Sequence, residues 1–82
     1  MLATVASVTS ATRIKRRIYE LGIYSSVIQT PQILAKEGCG YSLRFEDSAK
    51  NIVERAAHEL GVRIRAFYAE SLVDGERLYS KL

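Results

Sequence analysis

The sequence predicts an α+β domain of the ferredoxin-like type, in which two helices cover one face of a four-stranded antiparallel sheet. Three observations support this prediction: two segments with apolar residues at helical spacing, four strand-like segments around them, and a βαββαβ order. Right-handed βαβ crossovers then give the strand order 4-1-3-2, with strands 1 and 3 paired in the middle. We expect one domain over residues 1–70 and a tail, turn or short extra element over residues 71–82.

Each predicted helix has an apolar stripe and residues suited to a helix end. The apolar positions are Ala11, Ile14, Ile18 and Leu21 in the first helix, and Ala49, Ile52, Val53, Ala56, Ala57 and Leu60 in the second. Ser10 is the expected N-cap of the first helix, and Asp47 or Ser48 that of the second. Gly22 and Gly61 stand where left-handed backbone commonly ends a helix, so these boundaries agree with the periodicity.

The strand-like segments are ATVASV (3–8), IYSSVIQT (23–30), YSLRFE (41–46) and VRIRAFYA (62–69). In the third segment, Tyr41, Leu43 and Phe45 alternate with polar residues, which predicts one buried face. The fourth segment sets Val62, Ile64, Ala66 and Tyr68 against Arg63, Arg65 and Phe67. The face that carries Arg63, Arg65 and Phe67 is predicted to be open and basic.

Composition and charge restrict the class of protein. Of the 82 residues, 48% are hydrophobic and 26% charged, which is typical of a soluble globular domain. The apolar stretch MLATVASV is much shorter than a bilayer span and its basic cluster follows it, so we expect a cytoplasmic protein with no membrane segment. The single cysteine excludes an internal disulfide and a dithiol cycle, and no spacing resembles a zinc site. A bound metal is therefore not expected.

Cys39 is the main candidate for chemistry, and the predicted strand order places it. Because strand 3 runs antiparallel to strand 1, Cys39 is expected near the start of helix 1. The helix N-terminus, the hydroxyls of Thr9 and Ser10, and the charge of Arg13 would stabilise a thiolate there. The turn predicted for PQILAKE would oppose them, because its negative C-terminal end points toward the thiol.

Gly38 and Gly40 flank this cysteine. Without side chains they would leave the sulfur accessible to a large partner and let the backbone turn. The alternative is that both glycines serve the turn and Cys39 is an inert small residue beneath it. The residues alone leave both interpretations open.

Other function classes have weaker support. A cysteine hydrolase would need a base, and the only histidine, His58, is expected to face solvent. RNA-recognition domains of this order stack bases on sheet aromatics, whereas this chain has Ser42, Arg44 and Glu46 at those positions. Nucleic-acid binding through RIKRR (13–17) and the strand arginines is therefore the weakest hypothesis.

At QTPQILAKEGCGYSLRF (29–45) the sequence resembles a family of small bacterial proteins described as selenium or sulfur carrier-like. Thr30, Pro31, Cys39 and Gly40 carry the resemblance, which extends over nearly the whole chain. It implies a persulfide or selenide held on Cys39, with no metal or organic cofactor. It also implies protein donors and acceptors of sulfur or selenium, such as a cysteine desulfurase, and at most a carrier's role in transfer.

This chain departs from the family beside the thiol. Family members typically have arginine after the proline and serines before the cysteine, where this chain has Gln32 and then Lys36, Glu37 and Gly38. Lys36 is the residue that would supply the missing charge.

The alternative function is a noncatalytic interaction or regulatory module that forms a homodimer through its sheet face, with Cys39 silent.

Overall fold

The computed structural model of the chain describes residues 1–35 and 40–82. The elements follow in this order: β1 (Leu2–Val5), α1 (Val8–Tyr19), β2 (Ser25–Gln29), β3 (Tyr41–Phe45), a 3₁₀ turn (Asp47–Ala49), α2 (Lys50–Leu60), β4 (Ala66–Val73) and β5 (Glu76–Lys81). The strands form one antiparallel sheet in the order β2-β3-β1-β4-β5. Both edges of the sheet, β2 and β5, therefore have one side that no other described strand pairs with.

The predicted four-stranded ferredoxin-like sheet of order 4-1-3-2 is wrong, because the chain forms a five-stranded sheet. β4 runs on to Val73 and pairs with β5 along its outer edge, from Tyr68 opposite Lys81 to Val73 opposite Glu76. Asp74 and Gly75 join the two strands with φ values of 51° and 80°. Positive φ at both central residues is typical of the type I′ turn, whose twist suits a two-residue hairpin.

The core lies between the two helices and one face of the sheet. Along the middle of that face, Ala3 stands opposite Leu43 on one side and Phe67 on the other. The helices bury their predicted stripes against these strands; the buried helical residues are Ala11, Ile14, Ile18, Val53, Ala56 and Ala57. Leu21 and Ile52, which were expected in those stripes, are 54% and 38% exposed.

The helix starts differ from the predicted ones. Ser7, not Ser10, is the N-cap of α1, since its Oγ accepts the Ser10 N–H at 3.1 Å. A side-chain oxygen reaches the third helical N–H from the N-cap position, so β1 ends at Val5 and the helix starts earlier than expected. Before α2, Asp47 bonds the terminal amine of Met1 at 3.1 Å and caps no helix.

The helix ends are as predicted in their backbone geometry. Gly22 and Gly61 have φ values of 85° and 68°, the left-handed conformation in which glycine is favoured.

Among residues 1–35 and 40–82, neither α1 nor α2 combines the length and apolar composition that a membrane-crossing helix requires.

The two faces predicted for the segment VRIRAFYA (62–69) are also wrong. Arg63 and Arg65 lie before β4, which begins at Ala66, and Phe67 packs into the core beside Phe45, with ring centroids 6.3 Å apart. Ile64 packs against the same core, so the alternation shifts by one residue between Ile64 and Phe67. A strict period of two therefore assigned Phe67 to the wrong face.

Replacing Ser25 with alanine is expected to leave the protein as stable or stabilise it by up to about 1 kcal/mol, since a buried hydroxyl without a partner carries an uncompensated desolvation cost. The Ser25 Oγ is buried and has no hydrogen-bond partner among the described residues. Urea unfolding of the variant checks this. A loss above about 1 kcal/mol would mean that the hydroxyl has a partner.

Candidate functional site

A pocket of about 530 Å³ opens on the face of the sheet away from the helices, here called the open face. Its floor includes Thr4 of β1 and Ala66 of β4, which stand opposite each other in the sheet. One wall is the segment after β2, with Ile33, Leu34 and Ala35. The other described lining residues are Val5, Thr30, Gly40, Arg65, Tyr68, Tyr79 and Lys81. The pocket therefore lies at the end of the sheet where β3 begins.

Gly40 lines this pocket and immediately precedes β3. A Cβ built on Gly40 would lie 3.5 Å from the Val5 carbonyl oxygen and 3.5 Å from Thr30 Oγ1. Val5 is the last residue of β1, so Gly40 lies next to the connection that leads into α1. Both distances are ordinary van der Waals contacts, and alanine fits here without displacing a neighbour.

The segment between β2 and Gly40 begins as a helical turn. Pro31 precedes the turn, and its carbonyl accepts the N–H groups of Leu34 at 2.8 Å and Ala35 at 3.1 Å. Proline suits this position because it has no N–H to leave unpaired. Thr30 joins the turn to the sheet, since its N–H donates to the Gly40 carbonyl at 2.9 Å.

Thr30 and Ser42 share a hydrogen bond of 2.7 Å between their hydroxyl oxygens. The Ser42 side chain is fully buried, whereas Thr30 is half-buried and lines the pocket. One bond between two hydroxyls uses one of their two protons. If Ser42 donates, the Thr30 proton can be donated into the pocket.

The residues expected to support the thiol lie in the first turns of α1. Thr9 is exposed, and Ser10 accepts a hydrogen bond from the Ser7 hydroxyl at 3.1 Å. Arg13 donates from Nη2 to the Leu60 carbonyl oxygen at 3.2 Å, so this guanidinium bonds the last turn of α2. The predictions for Lys36, Gly38 and Cys39 lie outside the described residues.

A second polar cluster on the open face centres on Glu70 of β4, whose side chain is 11% exposed. Arg44 of β3 donates to both of its carboxylate oxygens, at 3.1 Å and 2.8 Å, and Arg77 of β5 donates at 3.1 Å. Burial by itself raises the pKa of Glu70, but the hydrogen bond and charge of Arg44, with smaller contributions from the terminal amine and Arg77, hold it below its ordinary value. The cluster links β3, β4 and β5.

The basic cluster in α1 is partly engaged within the fold. Arg17 pairs with Glu59 of α2 at 3.1 Å and with Glu20 at 3.7 Å, while Lys15 and Arg16 are exposed. His58 is exposed on α2, as predicted. Within residues 1–35 and 40–82, histidine, cysteine, aspartate and glutamate side chains form no group of three that could hold a metal ion.

Sequence reasoning missed the contribution of the last strand to the pocket. Tyr79 and Lys81 line it from β5, and Arg77 reaches Glu70 from the same strand. The signal was the Asp74-Gly75 pair followed by ERLYSK, since such a pair between strand-like segments is a strong hairpin signal. The sequence predicts the turn, but the irregular apolar spacing of residues 76–81 does not predict the strand after it.

A family model described as "Putative Se/S carrier protein-like" matches residues 1–69. The match includes Cys39 and Gly40 and ends inside β4, so β5 lies beyond it. No curated protein matches the chain. No solved structure matches it.

Proposed function

The chain belongs to this selenium/sulfur carrier-like family, and from that premise we propose that Cys39 carries a sulfur or selenium atom between proteins. The observation that carries the proposal is the family match, whose span includes the only cysteine of the chain. Transfer of this kind requires an accessible thiolate and no catalytic triad. We place the function in the cytoplasm, where thiols are kept reduced.

The proposed step transfers one sulfur atom from a persulfide to a thiolate, and it balances without a cofactor. The Cys39 thiolate attacks the terminal sulfur of a donor persulfide, such as that of a cysteine desulfurase. A bond forms between Sγ and that sulfur, the donor's sulfur–sulfur bond breaks, and the electron pair leaves with the donor thiolate. An acceptor thiolate then removes the terminal atom by the same exchange, which restores the Cys39 thiolate.

The surroundings of Gly40 support this proposal. The peptide bond joins Cys39 to Gly40, which lies beside Val5 and so near the connection into α1. No acidic residue occupies the first turn of α1, so nothing there offsets the positive end of the helix dipole. Thr9 and Ser10, in that turn, are the proposed hydroxyl support, with Arg13, Lys36 and the access given by Gly38 also part of the proposal.

The loading test uses a cysteine desulfurase and cysteine. After incubation, the intact mass of the wild-type chain should rise by one sulfur atom, and cyanide should remove it. Cys39→Ser is expected to show no added sulfur, because a hydroxyl cannot form the persulfide. A wild-type chain that stays unmodified while the desulfurase itself carries a persulfide would refute the proposal.

Replacing Gly40 with alanine separates access from backbone conformation. Alanine fits the space, and the φ of Gly40 lies outside the positive range, so stability should change by less than about 1 kcal/mol. Loading by the desulfurase should be slower than in the wild type if the bare backbone at Gly40 admits the partner. Equal loading rates would remove access from the roles proposed for Gly40.

A second candidate function is favoured by the exposed apolar residues of the β4–β5 hairpin. Val73 and Leu78 are each 48% exposed and lie on the same face of the hairpin, since Val73 stands opposite Glu76 and Ser71 opposite Leu78, and the outer edge of β5 is unpaired among the described residues. Exposed apolar residues beside a free edge are typical of an interaction surface. A noncatalytic module that forms a homodimer there, with Cys39 silent, would sediment as a dimer and fail the loading test.

A further inference from the structure

The outer edge of β5 presents backbone groups that can pair with another strand. The Leu82 N–H donates to the Phe67 carbonyl oxygen at 2.9 Å, so the backbone of Leu82 bonds toward β4. Along an antiparallel strand the backbone groups point alternately to one side and the other, so those of Arg77, Tyr79 and Lys81 point away from β4. Within residues 1–35 and 40–82, no strand pairs with this edge. The edge is therefore open to β-strand addition.

Two leucines beside this edge lie on the side of the sheet that faces the helices, yet the helices leave them exposed. Leu78 stands opposite Ser71, and Leu82 is bonded to Phe67, whose ring packs against the core. Ser71 and Phe67 are four residues apart on β4, so both leucines are on the core side. They are 48% and 61% exposed. A strand added at this edge can cover both of them.

The other side of β5 is charged. Arg77, Tyr79 and Lys81 project from the open face, since Tyr79 stands opposite Glu70. The pairs with β4 run without interruption along the whole of β5, so the strand has no bulge, and it contains no proline. Bulges and prolines are devices that keep an edge strand from pairing. The positions of the two cations therefore decide which pairings the edge allows.

We propose that β5 pairs antiparallel with β5 of a second copy of the chain, around a two-fold axis at Ser80, so that the two sheets become continuous. Leu78 then stands opposite Leu82 of the second copy, and Tyr79 stands opposite Lys81. The proposal rests on the homodimer of the second candidate function, but it does not require Cys39 to be silent. It assigns the interface to one edge and one register.

The two faces of the sheet restrict the register. Rotation about an axis perpendicular to the sheet reverses the strand direction and keeps each face on its own side, so each residue must stand opposite a residue of the same face. An axis at Arg77, Tyr79 or Lys81 would place two cations directly opposite each other on the open face, which is destabilising. Only axes at Leu78 or Ser80 avoid this near the middle of the strand.

The axis at Ser80 covers more apolar surface than the axis at Leu78. With the axis at Leu78, that leucine meets its own copy, but Leu82 lies beyond the paired residues. With the axis at Ser80, both leucines of each copy are paired, and the Lys81 ammonium lies beside the ring of Tyr79, where a cation is attracted. Tyr79 also exchanges both of its outward backbone hydrogen bonds with Lys81 of the second copy.

This arrangement involves none of residues 36–39. That segment ends at Gly40, which directly precedes β3. β3 lies three strand spacings, or about 14 Å, from β5 in the sheet. The proposed interface therefore depends on described residues alone.

Sedimentation equilibrium of the full chain tests whether the edge forms a dimer. The wild type should dimerise, and Leu78→Lys should dimerise at least about tenfold more weakly, because it loses the apolar contact with Leu82. Leu72→Lys is the matched control, since Leu72 is 71% exposed on β4 and away from the edge. A wild type that stays monomeric up to about 1 mM, or equal weakening in both variants, would overturn the proposal.

Disulfide formation in a Cys39→Ser background tests the register. Ser80→Cys should give a cross-linked dimer on mild oxidation, because the two copies of residue 80 form a non-hydrogen-bonded pair with Cα atoms about 4.5 Å apart. Leu78→Cys is the control, since its two copies would be about 13 Å apart along the strands and should not cross-link.

The two measurements separate the arrangement from the homodimer itself. A wild-type dimer in which Leu78→Cys cross-links and Ser80→Cys does not would keep the homodimer and overturn the axis at Ser80. A dimer in which neither cross-links would overturn pairing through β5. A monomeric wild type would refute both the homodimer and its arrangement, whereas loading of Cys39 by the desulfurase is decided independently of either result.

Discussion

Replacing Leu43 with alanine is expected to lower the free energy of unfolding by about 3 kcal/mol. Leu43 is fully buried on β3, with Ala3 of β1 and Val27 of β2 directly opposite it. Truncation removes buried methyl groups and leaves a cavity that the flanking strands cannot close. Since a domain of this length is stable by roughly 4–12 kcal/mol, the loss is a large share of the total.

The measurement is urea unfolding followed by circular dichroism, with Leu72→Ala as the matched control. Leu72 is 71% exposed on β4, so its truncation should change stability by less than about 0.5 kcal/mol. Equal losses in the two variants would contradict the register that buries Leu43 between β1 and β2.

Replacing Glu70 with glutamine is expected to lower stability at neutral pH by about 1–2 kcal/mol, because it leaves Arg44 and Arg77 without their shared negatively charged partner. Arg44 is the closest partner, and its hydrogen bond with Glu70 raises the pKa of this arginine despite the opposing effect of burial. The cluster joins β5 to β3 across the open face, so β5 should be the first strand to lose protection in hydrogen exchange.

The stability difference between the wild type and Glu70→Gln is expected to depend on pH. The pKa of Glu70 is lower in the folded chain than its ordinary value of 4.5. Its stabilising contribution is therefore present above pH 4.5 and is lost as the pH falls through the folded pKa. The stability difference between wild type and Glu70→Gln should shrink over that range, since a protonated glutamate resembles glutamine.

Glu54→Gln is the control for this pH series. Glu54 pairs with Lys50 along one face of α2 at 3.4 Å, and its side chain is 49% exposed. An exposed pair of this kind contributes about 0.3–0.5 kcal/mol, so the control should change little with pH. A Glu70→Gln difference that stays constant down to pH 2 would contradict the proposed charge pairing.

The sequence predicts the elements whose pattern is local and regular. The stripes Ala11-Ile14-Ile18 and Val53-Ala56-Ala57 identify both helices because a helix that packs on one side needs apolar residues at this spacing. The alternation of β3 likewise identifies Leu43 and Phe45 as core residues. These patterns carry their own period, so no knowledge of distant contacts is required.

The structure differs from the prediction where contacts between distant segments determine the strands and their faces. β5 has a weak pattern of its own, and its strand exists because the Asp74-Gly75 turn brings it against the long edge of β4. Which residues of β4 face the core depends on Phe67, whose ring packs against that of Phe45 on β3. Neither contact can be found from the alternation of VRIRAFYA, so the number of strands and their faces were mispredicted.

The candidate site is predicted in the same uneven way. Antiparallel pairing of β1 with β3 puts Gly40 beside Val5, because Tyr41 stands opposite Val5 in the register. The pocket on the open face includes Lys81 and Tyr79 of β5, a strand that the sequence pattern does not predict. The role of Arg13 as support for the thiol stays a prediction, and its observed partner is the Leu60 carbonyl.

The central claim, that Cys39 carries a transferable sulfur atom, is tested most directly by cyanolysis of the loaded chain after it has been separated from its donor. Cyanide takes the terminal sulfur of a persulfide as thiocyanate and returns the thiol. The account predicts close to one thiocyanate per wild-type chain and none from Cys39→Ser. No thiocyanate from the wild type, or equal amounts from both chains, would contradict it.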